Sequence, residues 1–254
     1  MTPNPSPVNI DFLLGAVVAI VSAFIGAATQ YLLEGRRTRT EKKEQWVKTA
    51  LEWTANGRKE SLRRADLKKA DLRGVDLGPE EEDENSKGAD LSYANLERAN
   101  LRSANLTGAD LTGCMLFGAD LSRADLTGAN LEEAWLRYTN LEGANLRKAN
   151  LHDAWLSRAN LQNGDLSGAD LHWAHMEGAN LHDTTLTGAN LERASLGGAN
   201  LRSANLHRAN LGGADLTEAR LFGAKYDDNT KWPDGFDPVA AGAILVTESS
   251  EAKP

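Results

Sequence analysis

The sequence predicts an all-β solenoid, a chain that bends once every five residues and stacks coil upon coil, entered through an apolar span and a short helix. Two patterns and one exclusion carry this. From Leu91 to Leu221 a Leu recurs at every fifth residue, with Met176 the only substitution. Ala usually stands two residues before it and Asn or Asp one before it. Neither regular structure accommodates that period. On an α-helix, steps of five wind the Leu around every face; on a flat strand, an odd step alternates faces. The chain must therefore turn once per repeat, so that each Leu points inward again. The N–H and C=O groups of one coil then pair with the next, as in a sheet.

The elements follow in order. Residues 1–11, "MTPNPSPVNID", are read as an extracytoplasmic leader. Phe12 to Leu33, "FLLGAVVAIVSAFIGAATQYLL", is 22 residues without a charge. At ~1.5 Å per residue it reaches roughly 33 Å, the thickness of a bilayer core, and predicts a single-pass transmembrane helix over 12–33. A buried helix of a soluble protein is the alternative. A cleaved signal peptide fits less well, because the leader has no Lys or Arg and the run exceeds a signal core. Arg36, Arg37, Arg39, Lys42 and Lys43 follow the span, and Asp11 precedes it. Positive charge stays on the cytoplasmic side, so the amino terminus is expected outside and the repeat domain in the cytoplasm. These five cations are the candidate lipid-headgroup residues. Gly15, Ala19, Ala23 and Ala27 fall four apart on one face, a spacing that lets two spanning helices approach closely, although alanine-rich spans also produce it by accident.

Residues 34–60 form a basic juxtamembrane stretch with an amphipathic capping helix. Trp46, Val47, Ala50, Leu51 and Thr54 repeat at three- and four-residue spacing, and Gly57 offers a stop. Repeat arrays need a lid at each end, and this helix would cover the first coil. Trp46 and Trp53 as membrane-interface anchors are the alternative.

In the repeats, Leu fills the interior, Ala fits the crowded inner position beside it, and Asn or Asp bonds its local backbone to favour the bend. Gly recurs two after Leu, at Gly108, Gly113, Gly128, Gly143 and Gly168, where a turn benefits from positive φ. The stretches "ANLRSANLTGADL" and "GANLERASLGGANLRSANL" resemble the pentapeptide repeat family, A(D/N)LXX, over about two thirds of the chain. The resemblance implies a right-handed quadrilateral β-helix with four pentapeptides per coil. It also implies that the central Leu and the preceding Ala face inward and the other three positions outward. The chain carries its own check on four sides. The residue before Leu departs from Asn or Asp at Met115, Trp135, Trp155, His175, Thr185, Ser195 and Arg220, and five of these seven lie twenty apart.

Leu62, Leu67, Leu72 and Leu77 make an earlier coil, after which the phase breaks and an acidic loop, 78–88, bulges out. The β-helix domain thus spans 61–226 in about eight coils, roughly 38 Å at ~4.8 Å each. Residues 227–254 are a carboxyl-terminal cap and mobile tail, in which Trp232, Phe236 and the apolar run 239–246 would cover the last coil.

One face then gathers Met115, Phe117, Trp135, Tyr138, Trp155 and His175, with Trp173 at the adjoining corner. Trp135 and Trp155 fall one coil apart, close enough for their rings to stack. An exposed aromatic column marks a contact surface, so these seven residues are the candidate partner-binding site. Packing against the capping helix or the carboxyl-terminal segment is the bland alternative. His152 and His172 share a column, but no thiolate or carboxylate set completes a metal site, and solvated histidines are the simpler reading. Cys114 replaces an inward Ala and is expected to be a buried, inert thiol.

No glycine-rich phosphate loop, nucleophile–base spacing or paired carboxylates in a cleft occur, so the chain reads as a non-enzyme with no cofactor. A formal charge of -8 argues against nucleic acid as a partner, and a single cysteine excludes an intrachain disulfide. The function expected is a membrane-tethered protein–protein interaction scaffold for an unknown cytoplasmic protein, with the lipid bilayer as the second partner and a homo-oligomer possible. The resemblance supplies an alternative, since some members mimic duplex DNA and modulate type II topoisomerases such as gyrase. That needs an acidic rod, whereas residues 62–226 hold 24 Asp and Glu against 18 Lys and Arg. A passive structural membrane oligomer is the third reading.

Overall fold

The structure, a computed structural model, describes residues 40–52, 61–79 and 87–247. The chain divides into two units, Met1–Gln45 and Trp46–Pro254. The span Phe12–Leu33, its face Gly15, Ala19, Ala23 and Ala27, and the cations Arg36, Arg37 and Arg39 lie outside the described residues, as do Trp53, residues 80–86 and residues 248–254. Among the described residues no helix is long and apolar enough to cross a membrane. Residues 40–51 are helical, with Lys42 exposed and Lys43 half-buried. Within the second unit Ala50 is fully buried, and Trp46 and Val47 pack against the same apolar core as the first coil. Trp46, Val47 and Ala50 of the expected stripe therefore face the repeats, whereas Leu51 is exposed and Thr54 lies outside the described residues.

Each repeat builds one side of a coil. In the pentad Cys114–Gly118, Leu116 points inward and is buried, as every Leu of the series is to within a few per cent. A turn follows in which the N–H of Ala119 donates to the Leu116 carbonyl at 3.0 Å, and Gly118 has φ 62°. Positive φ at the third turn position alone defines a type II turn. The glycines expected at this position do adopt positive φ, but eighteen non-glycine residues adopt it too. The stacking hydrogen bonds on both flanks hold them there, against an intrinsic cost of ~1–2 kcal/mol for a left-handed L-residue.

Stacking is parallel, at a register of twenty residues. On the face of interest the bridged series runs Asp66, Asn95, Met115, Trp135, Trp155, His175, Ser195, Asp215, eight levels deep. The first step is 29 residues instead of twenty, because the acidic loop is inserted there. Gly88 closes that insertion. A Cβ on it would lie 2.4 Å from the Thr107 carbonyl oxygen and 2.6 Å from the Ala109 nitrogen, so the chain re-enters the stack only without a side chain. At the far end, β1 (Lys225–Tyr226) pairs in parallel with β2 (Ile244–Leu245), adding a ninth layer on one side. Trp232 stacks on Phe236 at 5.3 Å and meets Tyr226 edge-on at 5.4 Å. The cap is narrower than expected. Ala241 and Ala243 pack inward, but Val239, Ile244 and Leu245 stay exposed, because a two-residue strand turns only part of the apolar run toward the stack.

Two stabilising devices escape a reading by composition. Where the inward Ala is replaced by a polar residue, its side chain reaches the Leu carbonyl one coil below: Thr139 Oγ1 to Leu116 at 2.8 Å, Thr184 Oγ1 to Leu161 at 2.9 Å, and Cys114 Sγ to Leu91 at 2.8 Å. Burial pushes the Cys114 thiol up to about 12, so it is an inert donor, as expected. The Asn residues, besides accepting the N–H two residues on, form side-chain ladders: the Nδ2 groups of Asn140, Asn160, Asn180 and Asn200 each donate to the Oδ1 one coil below. The signal for the ladder is Asn recurring at twenty in one column.

Candidate functional site

The aromatic face is assembled by the coil register. Met115, Trp135, Trp155 and His175 each precede an inward Leu or Met, and strand alternation therefore turns them outward. Their backbones are bridged one above the next. Trp135 is 59% exposed and Trp155 44%; Met115, Phe117, Tyr138 and Trp173 are exposed as well, and His175 is partly so. Trp46, Val47 and Ala50, and Trp232, Phe236, Ala241 and Ala243, pack on the core, and among the described residues the aromatic face stays exposed.

The ring geometry differs from a simple tryptophan stack. The Trp135 and Trp155 centroids are 6.4 Å apart and tilted by 36°, so the pair is not parallel-stacked. The stacked pair is Trp155 on His175, at 4.3 Å and 26°. Phe117 meets Tyr138 edge-on at 5.5 Å on the corner after the face. On the corner before it, His172 stacks on Trp173 at 5.7 Å and meets His152 edge-on at 5.4 Å. Among the described residues no group of three or more His, Cys, Asp or Glu is arranged to hold a metal.

Sequence reasoning missed Tyr93, which lies exposed on the same corner column as Trp173, four coils earlier, with the Arg63 guanidinium 5.4 Å from its ring centre. It was detectable, since 93 and 173 differ by a multiple of twenty. It also missed the charges on the two corners. Arg137 and Arg158 both lie over the Tyr138 ring, at 5.9 and 5.8 Å, and Arg158 donates to the Tyr138 hydroxyl at 3.1 Å. Arg193 lies 5.1 Å from the Trp173 ring centre. The stripe is thus a ridge of π-faces with guanidinium groups along it, a composition typical of protein contact hot spots.

A closed stack of pentad coils with a core filled by Leu and one aromatic side is a solenoid that presents surfaces. The sequence profile of the pentapeptide repeats family matches in eight copies between residues 87 and 223, more than half of the chain. The chain belongs to the pentapeptide repeat family, whose β-helix is right-handed. Among solved structures it is similar to HetL, a pentapeptide repeat protein involved in heterocyst differentiation regulation from the cyanobacterium Nostoc sp. strain PCC 7120. The identity is 38% over 65% of this chain and 81% of HetL, with a TM-score of 0.49. A second Nostoc pentapeptide repeat protein is 43% identical over 40% of this chain and 84% of its own, with a TM-score of 0.40. The plasmid-mediated fluoroquinolone resistance protein QnrB1 shares the fold at 16% identity, over 74% of this chain and 89% of its own, with a TM-score of 0.53. No match was found among curated proteins.

Proposed function

We propose that this protein is a membrane-tethered scaffold whose cytoplasmic solenoid docks a protein on the aromatic face. The observation that carries the reading is the uncovered column from Met115 to His175, with Trp135 its most exposed ring. Solvent contact with that much aromatic surface is costly unless a partner removes it. The tether is the uncharged span Phe12–Leu33 with the cations that follow it, and its role is to raise local concentration at the inner leaflet. Pentapeptide repeat proteins are generally structural or interaction proteins, in keeping with a role without catalysis or cofactor.

Mimicry of duplex DNA toward a topoisomerase finds little support in the charges. Without the acidic run 80–84 and Lys87, residues 62–226 hold 19 acids against 17 bases, and the first coil carries Arg63, Arg64, Lys68, Lys69 and Arg73. The test is a cross-linked pull-down from native membranes, comparing the wild type with Trp135→Ala/Trp155→Ala. A partner lost selectively from the variant supports the docking face. An unchanged set of partners refutes it.

A further inference from the structure

At the levels of Trp135 and Trp155 the corners flanking the aromatic column carry opposite charges. At the level of Trp135 the preceding corner holds Glu132 and Glu133 and the following corner holds Arg137. At the level of Trp155 the pair is Asp153 and Arg158; at the level of His175 the following corner holds Glu177, which lies 3.9 Å from the His175 imidazole of its own chain. Other charges have partners within the chain: Arg147 pairs with Asp165 at 3.2 Å and Arg102 with Asp120 at 3.9 Å, and on this face Asp153 lies 3.5 Å from the His152 imidazole. Glu133, Arg137 and Arg158 have no ion-pair partner among the described residues.

We propose that the occupant of the aromatic face is a second copy of this chain, docked face to face with its solenoid axis parallel to the first. The inference rests on the reading of that face as a protein-docking surface. Two-fold symmetry allows only two such arrangements, with the symmetry axis in the interface running along the solenoid or across it. Across it, the copies are antiparallel, and the corner bearing Arg98, Arg137 and Arg158 meets the same corner of its twin. Along it, the copies are parallel, and each level meets its own level with the corners exchanged. Arg137 then faces Glu132 and Glu133 of the twin, Arg158 faces Asp153, and Arg98 faces the exposed ring of Tyr93. Trp135 and Trp155 each meet their own copy near the axis. The levels of Trp135 and Trp155 are complementary in the parallel dimer and set like charges together in the antiparallel one that places 115 opposite 175, whereas the basic first coils, with Arg63 and Arg64 against Lys68 and Lys69, oppose parallel docking at that end. One face of a solenoid is at the small end of specific interfaces, so the dimer is concentration-dependent and gains from tethering.

The test uses the full-length chain in detergent micelles, in a Cys114→Ala background that restores the repeat residue. Met115→Cys and His175→Cys are made separately. In the parallel dimer each variant forms a disulfide-linked dimer by itself, because each level faces its own copy. Cross-linking only when the two variants are mixed places 115 opposite 175, the antiparallel arrangement, and overturns the proposal. No cross-linking, with a monomer by sedimentation up to the highest concentration reached, overturns self-pairing but leaves the docking face standing, to be decided by the pull-down alone. Charge reversal gives a second readout. Arg137→Glu/Arg158→Glu is expected to weaken the dimer on the order of tenfold, and adding Glu133→Arg/Asp153→Arg to restore it. Failure of the second pair to restore association would refute the parallel pairing.

Discussion

Gly88 offers a sharp test of how the stack tolerates its one large insertion. Substitution by Ala would put a methyl 2.4 Å from the Thr107 carbonyl oxygen, 2.6 Å from the Ala109 nitrogen and 2.8 Å from its Cα, all main-chain atoms of the next coil. None of these can rotate away, so the strand must lift. Overpacking of this kind costs ~1–3 kcal/mol, and lifting the strand also weakens the bonds from the Gly88 N–H to Gly108 (3.2 Å) and from the Ala89 N–H to Leu77 (2.8 Å). A total of roughly 3–4 kcal/mol follows, concentrated where the first coil joins the rest. The comparison is Gly128→Ala. There φ is +64° and nothing lies within 4 Å of the added Cβ, so the cost is only the left-handed backbone, ~1–2 kcal/mol. Because coils interact mainly with their neighbours, the damage at Gly88 should stay local. Hydrogen exchange is the assay. In Gly88→Ala the amides of Leu62, Leu67 and Leu72 should lose protection while those from Leu96 to Leu211 keep it. Equal protection of the first coil in wild type and variant, or greater damage from Gly128→Ala, would refute the steric argument.

Two further predictions follow from the polar groups. Thr184→Ala removes the bond from its buried hydroxyl to the Leu161 carbonyl, which keeps its turn bond from the Gly164 N–H, so the loss should be ~1 kcal/mol, read as a lowered denaturation midpoint. Acid should weaken the stack through Asp165. Burial pushes its carboxyl up, but hydrogen bonds from the Ser167 hydroxyl and N–H and from Arg147 outweigh it, and the net shift is below the ordinary value of 3.8. A depressed pKa means stability that is present above pH 3.8 and lost as the pH falls through the folded value. The thermal midpoint should therefore drop below pH ~4, and less so in Asp165→Asn. An identical acid profile in the variant would count against the assignment.

The five-residue period determined more of this molecule than composition usually does. Leu at every fifth position excludes helix and flat strand alike, and the exceptions at twenty-residue spacing already imply four sides. Gly at the bend, inward Ala and outward Asn or Asp all follow from one residue type per position, which is why they were legible. Trp135, Trp155 and His175 were legible as one column for the same reason: in a solenoid, sequence distance converts directly into spatial register.

Relations between coils were not legible, because they depend on side-chain rotamers and on which neighbour is nearer. The tilt of Trp135 against Trp155, the flat stacking of His175, and the reach of Thr139 and Thr184 to a carbonyl one coil below were decided by packing at a spacing of about 4.8 Å. So was the partial closure of the cap, where backbone pairing of Ile244 and Leu245 with Lys225 and Tyr226 turns their side chains outward despite their hydrophobicity. The sequence by itself determined the stack, its four faces and the aromatic column on one of them. Tertiary structure decided which charges face each other across that column, because only the closed coil brings the corners at 132–133 and 137–138 to opposite edges of one surface.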